Sequence, residues 1–318
     1  MLDTFLCAFA PSRLKLYKSY LYKMTVDFST LSISKKQAWL QHAIAPRPIC
    51  FASTIDKKGN PNLSPFSFFN LFSSNPPIVV FSPSRKGRDN TLKHTLENIY
   101  EVAECVINIV DYNMVQQVSL SSCEYPKGTD EFIKAGFTKT PASVVKPPMV
   151  AEAKIKMECK VLETKSLGEQ GGAGQLVIAE VLLMHIDDTI LNEDKTMIDQ
   201  GKIELVARLG GDWYCKVSKE NMFKVAKPNT ELGIGIDALP ESVRNSKILT
   251  GNHLGQLGNI NETPVIDPSY TDDTLKNIIQ YYAINPAEME QELHKYAANL
   301  LNQNKVIEAW QVLLAGDL

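Results

Sequence analysis

Between residues 46 and 110 the sequence concentrates hydroxyls, amides, cations and aromatic rings. Two runs read as strands: Arg47-Pro48-Ile49-Cys50-Phe51-Ala52-Ser53-Thr54 and Ser64-Pro65-Phe66-Ser67-Phe68-Phe69-Asn70. They lead into a basic loop, Ser82-Pro83-Ser84-Arg85-Lys86-Gly87-Arg88, and then to Lys93-x-Thr95 at a helix start. Cations, hydroxyls and helix N-terminal amides together hold a phosphate well. Arg47, Ser53, Thr54, Arg85, Lys86, Arg88, Lys93 and Thr95 supply that set. Ser67, Phe68, Phe69 and Asn70 supply an apolar wall with hydrogen-bonding groups for a flat ring. The mixture suits a flat aromatic ligand with a phosphate tail. The plainer alternative is a solvated basic loop beside core phenylalanines. Alternation sends Phe66, Phe68 and Asn70 to one face and Ser67, Phe69 and Leu71 to the other, so at least one phenylalanine is core.

Other chemistry is poorly supported. The six cysteines are scattered without a C-x-x-C pair, and no H-E-x-x-H helix occurs. Free thiols in a reducing, cytoplasmic setting are the expectation. No G-x-S-x-G elbow is present, although a dispersed Ser-His-Asp triad remains open. Asp187-Asp188 and Asp199 fall on different elements, and Asp130-Glu131 reads as a helix start with a capping role. The glycine-rich stretch Gly168 to Gly174 lacks P-loop spacing and reads as a hairpin connection. The formal net charge of -3 gives no general attraction to nucleic acid or anionic membrane. No apolar run approaches the ~20 residues of a membrane span.

The elements that must position these residues are mostly strands. Ala153, Ile155, Met157, Cys159 and Val161 alternate with Lys154, Lys156, Glu158 and Lys160, which predicts a half-buried antiparallel strand with a charged outer face. Gln175 to Ile186 is a second long strand, and Asp56-Lys57-Lys58-Gly59-Asn60 a hairpin turn. Thr91 to Tyr100 reads as a helix. No regular strand–helix alternation with G-x-G-x-x-G appears, so an antiparallel barrel is expected rather than a doubly wound sheet. The expected fold class is mainly β, with peripheral helices. Residues 1–23 are a disordered tail or a mis-assigned start before Met24, 24–218 the barrel, 219–268 a Gly/Asn-rich connector and 269–318 a helical extension. Asn285-Pro286-Ala287-Glu288 starts a helix there, with an apolar stripe of Met289, Leu293, Tyr296, Ala297, Leu300 and Leu301. That pair faintly resembles one tetratricopeptide hairpin, but a single copy is not an array.

The ordered series of motifs resembles the flavin reductase-like family, whose members share an FMN-binding split barrel. It runs from Ala45-Pro46-Arg47-Pro48-Ile49 through Asn62-Leu63-Ser64-Pro65-Phe66-Ser67-Phe68-Phe69-Asn70 and Lys93-His94-Thr95. It continues through Tyr125-Pro126-Lys127-Gly128-Thr129-Asp130-Glu131-Phe132 to Arg208-Leu209-Gly210-Gly211-Asp212-Trp213-Tyr214. The resemblance implies FMN held by Arg47, Ser53, Thr54, Ser67, Phe68, Phe69, Asn70, Ser82, Lys93 and Thr95; the charge argument adds Arg85 and Arg88. It implies hydride transfer from NADH or NADPH to flavin, with electrons passing to free flavin, ferric iron or a partner protein, in a homodimer. A non-catalytic FMN-binding electron carrier or sensor is the alternative. His94 stands where the family usually has Asp. Trp213 follows Gly211-Asp212 where shorter flavin reductases often have His, which bears on nicotinamide use.

Overall fold

The computed structural model describes residues 24–228 and 231–317. The expected tail or mis-assigned start at 1–23 lies outside the described residues. The chain divides into two compact units, one ending at Met222 and the other starting at Phe223.

In the first unit, helix α1 (Ile33–Ala43) is capped by Ser32 and followed by the short strand β1 (Arg47–Pro48). Strands β2 (Cys50–Ile55), β3 (Pro61–Phe66), β4 (Phe69–Ser74) and β5 (Pro77–Phe81) come next. The β2–β3 turn lies where Asp56 to Asn60 predict it. Asp56 accepts N–H groups from Lys58 and Asn60, and Gly59 takes the left-handed conformation the turn needs. Helix α2 (His94–Glu101) and strand β6 (Glu104–Ile109) follow. Helices α3 (Val115–Leu120) and α4 (Glu131–Ala135) lead to the short β7 (Lys139–Thr140) and β8 (Met149–Val150). The long hairpin β9 (Ile155–Ser166) and β10 (Gln175–Ile186) precedes the small hairpin β11 (Val206–Arg208) and β12 (Tyr214–Lys216).

Seven strands form one antiparallel sheet in the order β3-β2-β6-β9-β10-β5-β4. Its two edges, β3 and β4, are joined by Ser67 and Phe68 alone. A link that short spans at most about 10 Å. The first and last strands must therefore meet at one corner, and the sheet rolls up. No ladder joins β3 to β4, so the barrel stays split. Its interior gathers Cys50, Ala52, Phe66, Val79, Phe81, Cys105, Ile107, Met157, Cys159, Val161, Val177 and Ala179, with Leu96 and Ile99 of α2. On the other side, Phe51 of β2 and Ile49 just before it pack with Met114, Val118 and Phe132 around α3 and α4. Fully burying one such side chain contributes roughly 1.5–3 kcal/mol.

The alternation in β9 holds for Ile155, Met157, Cys159 and Val161, all buried. It fails at Glu158, which is fully buried rather than solvated. The loop at residues 143–145 folds over it, and the carboxylate accepts the N–H groups of Ser143, Val144 and Val145 and a contact from His185 Nε2 at 2.6 Å. Burial pushes this carboxyl up, but those hydrogen bonds outweigh it and bring the pKa down to about 2.

The second unit is helical. Helices α5 (Glu241–Arg244), α6 (Gly251–Gly258), α7 (Asp273–Tyr281), α8 (Pro286–Asn302) and α9 (Val306–Leu314) surround a core centred on Leu257, Leu293, Leu301 and Trp310. Asn285 caps α8 through Glu288 N, with Pro286 in the first turn. The glycine-rich stretch before residue 268 contributes Leu239, Val243, Leu249 and Leu257 to that core, so within this unit it is packed structure. Because of these helices the chain as a whole is mixed rather than mainly β, at 31% helix and 24% strand. No helix among the described residues is long and apolar enough to cross a membrane.

Candidate functional site

Helix α2 starts at the end of the barrel, with Lys93 in the capping position and no side chain capping its first turn. The N–H groups of His94 and Thr95 are therefore available to an anion. A polar pocket opens there. Lys86, Lys93, His94, Thr95, Ser64 and Ser122 line it, with Glu124 and Glu131 on its acidic side. Two cations and a helix N-terminus converge on one place, which is the donor set a phosphate group requires. Glu124 holds that charge in check: it pairs with Arg88 at 2.8 Å and stands 3.6 Å from Lys93.

The pocket floor is a chain of hydrogen bonds. Asn62 Nδ2 donates to Glu131 at 3.0 Å, and Leu63 N donates to the other oxygen at 3.1 Å. Thr95 Oγ1 donates to Asn62 Oδ1 at 2.6 Å. The Thr95 hydroxyl proton is thus committed inward, so Thr95 can offer an anion its main-chain N–H but not its O–H. Burial pushes the Glu131 carboxyl up, partly opposed by these donors. Burial also lowers the His94 pKa, against the pull of Glu97.

Of the residues expected from sequence, the structure brings Lys93 and Thr95 into this pocket. Arg88 reaches its rim through Glu124. The others lie elsewhere. Arg47 is buried, and its guanidinium donates to the carbonyls of Gln41, Ile44 and Leu209, clamping the end of α1 to the β11–β12 hairpin. Ser53 and Thr54 point to opposite faces of β2. Thr54 accepts from Asn98 at 3.2 Å, while the Ser53 hydroxyl is buried without a partner. Ser82 accepts from Gln175 N. Arg85 is bonded to Asn90 through Nε and Nη2, both at 2.7 Å. Ser67, Phe68, Phe69 and Asn70 sit at the split of the barrel. Phe69 packs on the core, Phe68 is 42% exposed, and Asn70 Oδ1 accepts from Leu71 N.

Asn62, Ser64 and Ser122 were not expected at the site from sequence, and Glu131 was read as part of a helix start. For Asn62 and Ser64 the signal existed: they share one face of β3, directly before the Ser67–Asn70 run. For Ser122 there was none, and Glu131 meets Asn62 and Leu63 across about 70 residues of chain.

A larger cavity of about 550 Å³ lies between α3 and the β11–β12 hairpin. Ser122 borders it as well as the anion pocket. Arg208 stacks over the Tyr214 ring at 4.6 Å and Lys216 over Tyr112 at 4.7 Å, forming two cation–aromatic walls.

Residues 42–203 match the family described as Flavin reductase like domain. An uncharacterized protein of Aquifex aeolicus is 36% identical over 57% of this chain and 90% of its own length. The crystal structure of nitrilotriacetate monooxygenase component B from Bacillus cereus superposes with a TM-score of 0.60 at 27% identity, over 64% of this chain and all of that one. The 2-nitrobenzoate 2-nitroreductase NbaA of Pseudomonas fluorescens shares the fold, with a TM-score of 0.59 at 24% identity over 67% of this chain and all of its own.

Proposed function

The chain belongs to the flavin reductase-like family, and from that premise we propose that its barrel binds FMN and acts as an NAD(P)H-dependent oxidoreductase. The observation that carries this reading is the convergence of Lys86, Lys93 and the uncapped start of α2 on one polar pocket. When bound, FMN supplies the redox chemistry, taking hydride from NADH or NADPH and passing electrons to free flavin, ferric iron or a partner protein. The residues of the chain bind and orient. Lys86, Lys93 and the N–H groups of His94 and Thr95 hold the phosphate. Glu131 fixes Asn62, and Asn62 fixes Thr95. Phe68 offers a ring face at the split of the barrel. Asn70, whose Oδ1 is occupied by Leu71 N, offers its amide N–H groups to a ring oxygen or nitrogen. A hydride step requires no protein acid or base, so Glu131 is given none of that work.

A homodimer completes the site in this reading. Helix α1 has no buried residue and exposes Ile33, Trp39 and Leu40, with Ile44 just beyond it. Edge strand β4 exposes Leu71 and Phe72 beside Phe68. A second copy covering these groups would wall the ring and exclude water. The likeness to a monooxygenase component B favours a partner protein among the possible acceptors.

The test is the absorption spectrum of the purified protein incubated with FMN, followed by anaerobic NADH and then NADPH. The expected result is a protein-bound flavin spectrum that bleaches with one of them. A bound flavin that does not bleach moves the reading to a non-catalytic electron carrier. No bound flavin in excess FMN overturns the site.

A further inference from the structure

The glycine-rich turn joining β9 to β10 packs against the basic loop at residues 82–91. Arg85 N donates to Ala173 O at 2.9 Å, and Gly172 N donates back to Arg85 O at 3.0 Å. Gln175 N donates to Ser82 Oγ at 3.0 Å, and Asn90 Nδ2 donates to Glu169 O at 2.9 Å. Inside the basic loop, Arg85 grips Asn90, which adopts the left-handed conformation at φ 59°. Lys86 lies between these fixed points, and its side chain lines the anion pocket.

The glycines are required by closeness. A Cβ at Gly171 would stand 3.1 Å from both Lys86 O and Gly87 O and 3.2 Å from Gly87 Cα. A Cβ at Gly174 would stand 2.9 Å from Ser82 Oγ. Neither residue has a positive φ, so alanine is acceptable to both backbones. An alanine at Gly171 requires the facing backbone of Lys86 and Gly87 to give by a few tenths of an ångström.

We infer that the 168–174 turn is a template for the cationic loop, with Gly171 and Gly174 as positioning residues that set how well the site recognises a phosphate monoester. The inference rests on the FMN reading and deepens it. The glycine turn itself lacks the spacing of a phosphate-binding loop. Its backbone instead meets the back of the loop that carries Lys86. Arg85 belongs to the same device, as a strut whose charge is spent inside the loop. A displacement of a few tenths of an ångström at Lys86 and Gly87 weakens charge-assisted contacts to the phosphate and leaves contacts to the ring untouched.

The experiment is a fluorescence titration of the full chain with FMN and, separately, with riboflavin, which lacks the phosphate. Gly171→Ala is expected to weaken FMN about tenfold while riboflavin stays within about twofold. Asn90→Gly keeps the left-handed backbone but removes the side-chain ties to Glu169 and to Arg85 Nε, and the same selective loss is expected; it serves if Gly171→Ala does not fold. An unchanged FMN-to-riboflavin ratio in the folded variants overturns the inference, and so does a parallel loss of both ligands, which is the signature of general destabilisation. A wild-type protein that does not prefer FMN overturns the FMN-phosphate reading itself, and the inference with it.

Discussion

Both units bury polar side chains, but they put them to different use. In the helical unit the buried polar groups tie distant segments together and are satisfied by one another or by main-chain groups. Gln311 accepts from Asp267 N and donates to Val265 O. His253 completes a capping box with Thr250 and meets Asn302 at 3.0 Å. Ser246 Oγ stands 2.9 Å from His294 Nδ1, which looks like the start of a catalytic dyad. Yet that oxygen also accepts the N–H groups of Ile248 and Leu249, both at 3.1 Å. Its lone pairs are occupied, so it caps a turn and does not attack a substrate. In the barrel unit the chain Glu131–Asn62–Thr95 ends at an open pocket, where Lys86, Lys93 (3.6 Å from Glu124) and an uncapped helix N-terminus face the same space. Buried polar groups that satisfy one another specify a fold; those that converge on unspent donors specify a site.

The comparison can be broken at several points. The largest effect is expected in the helical core. Trp310→Ala removes a fully buried ring and should cost about 3–5 kcal/mol in that unit, read by urea denaturation. A loss below about 1 kcal/mol would mean the core is not packed as described.

Glu158 tests the barrel. Its folded pKa of about 2 lies below the ordinary 4.5, so its stabilising effect is complete above pH 4.5 and is lost as pH falls from there toward 2. The difference corresponds to about 3 kcal/mol. Stability measured against pH should show that decline in the wild type and a flatter profile in Glu158→Gln. Equal slopes would contradict the hydrogen-bonded carboxylate.

Lys86→Ala and Lys93→Ala each remove one cation from the pocket. FMN binding should weaken by roughly tenfold for each, with riboflavin binding little changed. Parallel losses for both ligands would place the phosphate elsewhere. The smallest expected effect is none at all: a fluorophosphonate probe for activated serines should leave Ser246 unlabelled. Labelling there would transfer catalytic standing to the helical unit.

Much of the barrel was legible in the sequence because local rules decide it. The β9 alternation, the Asp56–Asn60 turn and the Asn285-Pro286 cap each depend on residues within a few positions, whereas the helix expected from Thr91 begins at His94. The mixed fold class was not, since the short helices around α5 and α6 lie in a glycine-rich stretch without clear periodicity. Lys93 stands at a helix start, as its sequence position implied, and lines the pocket. Arg47 and Arg85, also expected there, have their guanidinium groups bonded to acceptors elsewhere, Arg47 to main-chain carbonyls and Arg85 to Asn90. The Thr95 hydroxyl was equally opaque, because its direction is set by Asn62, 33 residues away. The opposite facing of Ser53 and Thr54 follows from strand alternation and could have been read.

The central claim is that the barrel recognises a flavin through its phosphate at the start of α2. The most direct measurement is the affinity of the wild-type protein for FMN against riboflavin at one ionic strength. FMN tighter by at least about tenfold, with the gap narrowing as salt is raised, is the predicted result. Equal affinities at low salt would contradict it.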